Sequence, residues 1–105
     1  MNNIKHAQLR MNCSKLNAHL FSRHVSDTAE CICGHDMEDS EHFMHHCPLY
    51  LGMRQTMMQT IVNENIYVED ININMLLQGD DRYSIEKNKY VFKAVHTYIS
   101  ETGRL

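Results

Sequence analysis

The chain has 105 residues, which accommodates one small domain with only a modest hydrophobic core. Hydrophobic residues make up 43% of it, with eight methionines and no tryptophan, and this composition favours a globular domain over a disordered tail. The formal net charge of −3 is mild, and no apolar run approaches the length of a membrane-spanning helix, so a membrane partner is not expected. A small-molecule substrate is not expected either.

The charge is unevenly distributed along the chain. Residues 1–24 contain four basic residues, three histidines and no acid, whereas residues 27–41 contain six acidic residues and neither lysine nor arginine. This asymmetry is typical of a nucleic-acid-binding face beside an acidic face, or of two ordinary solvated surfaces. The five candidate nucleic-acid-binding residues are Lys5, Arg10, Lys15, His19 and Arg23.

The first residues do not read as a signal peptide, because Lys5, His6 and Arg10 interrupt the apolar positions. We therefore expect an intracellular protein, located in the nucleus, the cytoplasm or both. In such a reducing compartment, cysteine side chains are expected to bind metal as thiolates rather than to form disulfides.

Two short helices are predicted in the first quarter of the chain. Residues 4–12 have the pattern of the end of a helix whose beginning is absent, which suggests a fragment of a longer protein. Ser14 stands at the N-cap position of a helix over about residues 15–24. A loop over residues 25–30 and a short extended piece over residues 29–33 follow.

A short helix carrying residues 41–44 is predicted to start at a cap provided by Ser40 or Asp39 and to end at Pro48. Proline is also suited to the first position of the next helix. Residues 49–62 follow as an amphipathic helix with a methionine-rich apolar face.

The last third of the chain is predicted to contain two further helices. Residues 71–77 fit a short helix ended by Gly79, although their alternating apolar and polar residues also fit a strand. Ser84 and Gly103 are the start and stop signals of a long final helix. The whole chain is thus expected to be one mainly α domain of residues 1–105.

Three of the four cysteines lie within seventeen residues, and together with His42 they give the order Cys31, Cys33, His42, Cys47. Zinc prefers four soft or borderline ligands at the corners of a tetrahedron, and this cluster supplies them. Residues five apart on an ideal helix point away from each other, so Cys47 is expected where the helix unwinds. The sequence therefore predicts one structural zinc ion bound by a zinc-nucleated turn or short β-hairpin.

The choice of ligands has alternatives. Three nearby histidines are rivals of His42: His35, His45 and His46. The single residue between Cys31 and Cys33 is a tighter gap than the usual two, so Cys33 and His35 could exchange roles. The competing interpretation is a pair of buried thiols beside a surface histidine. Cys13 lies outside the cluster and is expected to be a small core residue.

Several segments together resemble the extreme C-terminal region of non-LTR retrotransposon polyproteins, which follows the reverse transcriptase and ends in a Cys-Cys-His-Cys zinc-binding motif. They are residues 16–20, 31–34, 41–43 and 47–50, with 76–80, 88–92 and 103–105 further on. The resemblance covers nearly the whole chain, and it implies Cys31, Cys33, His42 and Cys47 as the zinc ligands. It also implies a detached tail of such a polyprotein.

The resemblance implies a zinc-binding module that assists RNA or DNA binding through the basic N-terminal helix, beside a reverse transcriptase core. No enzymatic activity is expected, because the chain lacks the Tyr-x-Asp-Asp motif of reverse transcriptases and any endonuclease or hydrolase pattern. Its one Asp-Asp pair, Asp80-Asp81, has no catalytic context. The alternative is a structural protein-interaction cap that zinc folds and that does not contact nucleic acid.

Overall fold

The computed structural model of the protein describes residues 2–105. Within this range the chain forms five α-helices and no β-strand, which confirms the predicted mainly α fold. The helices are α1 (Asn2–Arg10), α2 (Asn17–Ser22), α3 (Leu51–Val62), α4 (Ile73–Gln78) and α5 (Ile85–Thr102). Shorter helical turns are a π-helical turn at His42–His46 and 3₁₀ turns at Pro48–Tyr50 and Val68–Asp70. Residues 31–47, which contain the predicted zinc ligands, therefore form turns and not the alternative β-hairpin.

The long helix α5 organises the core. Ser84 Oγ accepts a hydrogen bond from Lys87 N at 3.2 Å, and Gly103 at φ +62° ends the helix, so both predicted boundary signals are confirmed. The buried face of α5 packs against α1, α3 and α4. The residues of this face are Val91, Ala94, Val95, Tyr98 and Ile99.

Helix α2 is shorter than the predicted helix over residues 15–24. The Ser14 hydroxyl accepts a hydrogen bond from Leu16 N at 3.1 Å and closes a tight turn before the helix. Leu16 is consequently the cap residue, and the prediction of Ser14 as the N-cap is wrong. At the other end His24 has a φ of +61°, a left-handed conformation that stops the helix.

Residues 73–78 form helix α4, so the alternative prediction of a strand is wrong. Asn72 Oδ1 accepts a hydrogen bond from Met75 N at 3.0 Å, which caps the helix. Gly79 ends it with a φ of +85°, and a Cβ atom at this position would lie 2.9 Å from Asn88 Oδ1. Both the backbone conformation and the close approach of α5 therefore require glycine.

One hydrophobic core extends from the helices to the segment of residues 31–47. Its members include Leu9, Leu16, Phe43, Ile61 and Leu76, together with Cys31 and Cys47. Cys13, predicted as a core residue, is only half-buried. Among the described residues, no helix is both long and apolar enough to cross a membrane.

Candidate metal centre

A tight turn brings Cys31 and Cys33 to one side of the chain. Gly34 N donates to Cys31 O at 2.9 Å, and Cys31 N donates to the carbonyl oxygen of His35, also at 2.9 Å. Gly34 has a φ of +98°, which residues with a Cβ rarely adopt, so the turn favours glycine at this position. A third backbone hydrogen bond, from Glu38 N to Ala29 O at 2.7 Å, closes the base of the loop.

His42 and Cys47 come from the two ends of a π-helical turn. Asp39 Oδ1 caps the turn by accepting from His42 N at 2.8 Å, and Cys47 N donates to His42 O at 2.8 Å. On an α-helix, residues five apart differ by about 140° around the axis. The wider π-helical turn, with its bond between residues five apart, brings them together instead. Cys47 itself has an extended conformation, as expected where the helix ends, and Pro48 starts the next turn.

The four donor atoms converge on one point. The sulfur atoms of Cys31 and Cys47 are 3.7 Å apart, and Cys33 Sγ lies 3.3 Å from His42 Nε2. A tetrahedral zinc ion with Zn–S bonds of about 2.3 Å places two sulfurs about 3.8 Å apart, and a sulfur and a nitrogen about 3.6 Å apart. All four donor atoms lie within 4.8 Å of one another, so these residues could bind one metal ion.

Burial controls the protonation of the centre. It raises the pKa of Cys31 to about 12 and also raises the pKa of Cys47. The pKa of the more exposed Cys33 is lowered, chiefly because the backbone of His35 donates a hydrogen bond to it. Burial lowers the pKa of His42 and keeps its ring neutral, as a metal ligand must be. A metal ion that binds here must therefore displace thiol protons.

The rival histidines do not join the cysteines. His35 is exposed, its Nδ1 accepts from the backbone of residue 37, and its ring stacks on His42 with the centroids 4.3 Å apart. His46 is also exposed and lies 3.9 Å from Glu41. The structure therefore brings together the four predicted ligands and leaves out His35, His45 and His46.

The orientation of the His42 ring comes from packing. Its Nδ1 is buried and has no hydrogen-bond partner within the described residues. Histidine ligands usually donate this second N–H to a carbonyl or carboxylate, which fixes the ring. In this protein the ring of His35 stacks against the ring of His42, and this stacking restricts the orientation of the His42 ring instead.

Two side chains that the sequence interpretation did not assign to the site hold the π-helical turn in place. Arg54 lies in the predicted amphipathic helix of residues 49–62, where an arginine is expected on the solvent face, but it is only 8% exposed. Its Nε donates to Met44 O at 3.2 Å and its Nη2 donates to Cys47 O. Tyr98 donates its hydroxyl hydrogen to Phe43 O. A usable signal existed, since residues 54, 57 and 61 have the spacing of one buried helix face.

Two of the residues predicted to bind nucleic acid, His19 and Arg23, contact Ser14. His19 is 4% exposed, and its Nδ1 lies 2.6 Å from Ser14 Oγ. Arg23 Nη2 donates to Ser14 O at 2.9 Å. His19 is therefore part of the interior and not of an exposed nucleic-acid-binding face.

The remaining three predicted residues lie on α1 and on the segment after it. Lys5 Nζ donates to Leu105 O at 2.8 Å, which joins α1 to the segment that follows α5. Arg10 ends α1 and Lys15 precedes α2, and both are exposed. The basic residues thus do not form one stripe on one helix.

No known protein family, curated protein or solved structure matches this chain.

Proposed function

We propose that the chain is a zinc-binding module whose one structural zinc ion is bound by Cys31, Cys33, His42 and Cys47. The convergence of these four donor atoms to within 4.8 Å carries the proposal. Three sulfurs and one imidazole nitrogen are a donor set that zinc favours in structural sites. Because four protein ligands complete the tetrahedron, no position is left for a substrate, and we propose no enzymatic activity.

Metal analysis of the purified protein tests the zinc site. We expect one zinc ion per chain and a loss of far-UV circular dichroism on chelation, because the binding free energy of a structural zinc is largely folding free energy. Cys47→Ser should lower the zinc content, whereas the matched control Cys13→Ser, outside the centre, should leave it unchanged. A metal-free protein whose helix signal does not respond to chelation would contradict the proposal.

The resemblance to the tail of non-LTR retrotransposon polyproteins supports a second part of the proposal, that the module assists RNA or DNA binding beside a reverse transcriptase core. Arg10, Lys15 and Arg23 are its exposed cations in the N-terminal region, and of these Arg23 also donates a hydrogen bond to Ser14 O. The acidic residues of the metal loop would repel phosphate, so we place the contact on the N-terminal side. With so few cations, the binding should be weak and strongly salt-dependent.

Fluorescence anisotropy with labelled single-stranded RNA and DNA, at low and at moderate salt, tests this part. The double variant Arg10→Gln/Lys15→Gln should bind more weakly than the wild type. A matched control is Lys89→Gln/Lys93→Gln, which removes two exposed cations from α5. If the wild type does not bind at low salt, or if the two double variants bind equally, nucleic-acid binding by the N-terminal region is refuted.

A groove between α3 and α5 supports the alternative function, a protein-interaction cap. It has a volume of about 220 Å³, and its lining residues include Met53, Met57, Tyr90, Ala94 and Tyr98. A cap of this kind would pack against the reverse transcriptase core without contacting nucleic acid. Concentration-dependent self-association of the isolated chain, abolished by Tyr90→Glu, would favour it, and a monomer at all concentrations would count against it.

A further inference from the structure

A buried carboxylate lies beside the metal centre. The side chain of Glu38 is 2% exposed, and its Oε2 lies 3.8 Å from Cys31 Sγ. Its Oε1 accepts a hydrogen bond at 2.7 Å from the backbone N of Asn17, which is the first residue of α2. Carboxylates are seldom buried to this degree without a positive partner.

That partner is Arg104, which lies 66 residues further along the chain. Its Nε donates to Glu38 Oε2 at 2.8 Å, and its Nη2 donates to Glu38 Oε1, so both carboxylate oxygens are engaged. The same Nη2 lies 3.2 Å from Lys15 O. Arg104 reaches this position because Gly103, in a left-handed conformation, turns the chain off the end of α5.

Metal binding changes the charge next to Glu38. Without metal, the Cys31 thiol can donate its hydrogen to the Glu38 carboxylate. A cysteine that binds zinc does so as a thiolate, so this hydrogen bond is lost. Three thiolates exceed the charge of one Zn²⁺ ion by one, so the occupied centre would carry a net negative charge beside the buried Glu38 carboxylate. Arg104 and Asn17 N then have to balance the carboxylate alone.

We propose that Arg104 is a positioning residue of the metal centre, which raises the zinc affinity by neutralising Glu38 next to the Cys31 ligand. The inference rests on the proposed zinc site and adds to it a residue that lies far from the ligand motif in sequence. Partners outside the ligand set often change metal affinity by about 10–100-fold, and we expect Arg104→Gln to weaken zinc binding within that range.

Competition with a chromophoric zinc chelator measures the affinity of each variant. Arg82→Gln is the matched control, because Arg82 also pairs with two carboxylates, those of Asp70 and Asp80, but belongs to an exposed cluster outside the centre. It should bind zinc like the wild type. Circular dichroism at saturating zinc checks that each variant is folded. The cobalt(II) absorption spectrum of each variant should keep its tetrahedral form, because the ligands are unchanged.

The double variant Arg104→Gln/Glu38→Gln separates a charge effect from a merely structural one. If Arg104 acts by neutralising Glu38, the uncharged amide removes the repulsion, and the zinc affinity should return to within a few-fold of the wild type. If Arg104 only fastens the chain after α5, the double variant should bind zinc as weakly as Arg104→Gln or more weakly. That second result, or wild-type affinity in Arg104→Gln, would overturn the inference while the zinc site itself stands. A wild-type protein that binds no zinc would overturn both.

Discussion

The buried guanidinium of Arg54 offers a test of how the π-helical turn is held. It donates to Met44 O and to Cys47 O at the C-terminal end of that turn. Carbonyl groups there lack a helical partner, and the negative end of the helix dipole favours a cation. Arg54→Met keeps a long aliphatic side chain but removes both hydrogen bonds, so it isolates the contribution of the guanidinium.

The expected magnitude follows from these contacts. A hydrogen bond from a charged donor contributes about 1.5–3 kcal/mol, so two of them contribute roughly 3–6 kcal/mol. Burying the guanidinium also costs several kcal/mol of desolvation in the wild-type protein. The methionine variant does not have this cost, which offsets part of the stability that it loses with the hydrogen bonds. We therefore expect Arg54→Met to lower the free energy of unfolding by about 3 kcal/mol. Zinc affinity should fall as well, since the turn connects His42 to Cys47.

Urea unfolding of the zinc-saturated protein measures this loss, with Arg82→Met as the control. Arg82 is exposed and its ion pairs are with Asp70 and Asp80, so its loss should cost less than about 1 kcal/mol. If Arg54→Met is no more destabilising than Arg82→Met, the guanidinium does not support the turn and our reasoning is refuted.

Three further predictions concern backbone strain and protonation. Gly79→Ala should destabilise the protein by more than about 1 kcal/mol because of the positive φ of Gly79 and the close approach of α5. Gly52→Ala, with open space around the glycine, should instead stabilise the protein by up to about 1 kcal/mol. Equal effects of the two substitutions on thermal unfolding would contradict this prediction. Burial lowers the pKa of His6 below its ordinary value of 6.5, so the unfolded chain binds a proton at a higher pH than the folded protein does. The free energy of unfolding should therefore be undiminished above pH 6.5 and should decrease as the pH falls through the folded-state pKa. Urea unfolding at saturating zinc should show a shallower decrease for His6→Gln, and an identical pH dependence would refute the assignment. Because burial raises the pKa of both Cys31 and Cys47, zinc binding at neutral pH should release at least two protons, measurable by calorimetry in buffers of different ionisation enthalpy; release of one or none would contradict it.

Local signals in the sequence were sufficient to predict the boundaries of helices that are set by capping residues. Helix α5 begins at the Ser84 cap and ends at Gly103, as predicted, because a cap hydroxyl and a left-handed glycine act within one turn of the chain. The convergence of Cys31, Cys33, His42 and Cys47 was also predicted, because each pair is close in sequence and zinc restricts which residue types can share a site.

The burial of charged residues could not be predicted in the same way. Glu38 reads as one more member of an acidic loop, and its partner Arg104 is 66 residues away. Arg54 reads as the polar side of an amphipathic helix until the carbonyls that it caps are known. Burial of such side chains depends on partners brought together by tertiary packing, and helical periodicity contains no information about those partners.

The side chains that hold the candidate metal centre in place come from parts of the chain that are distant in sequence. Their positions suggest a reason why a small domain would use a metal. The π-helical turn is held by Arg54 from α3, and the loop carrying Cys31 is held through Glu38 by Arg104, beyond the end of α5. An ion that fixes the turn and the loop together therefore also favours the packing of both helices against the core. A core of this size supplies little stability of its own. The free energy of metal binding would then contribute to the packing of the helices as well as to the conformation of the loop, which is the behaviour of a structural site.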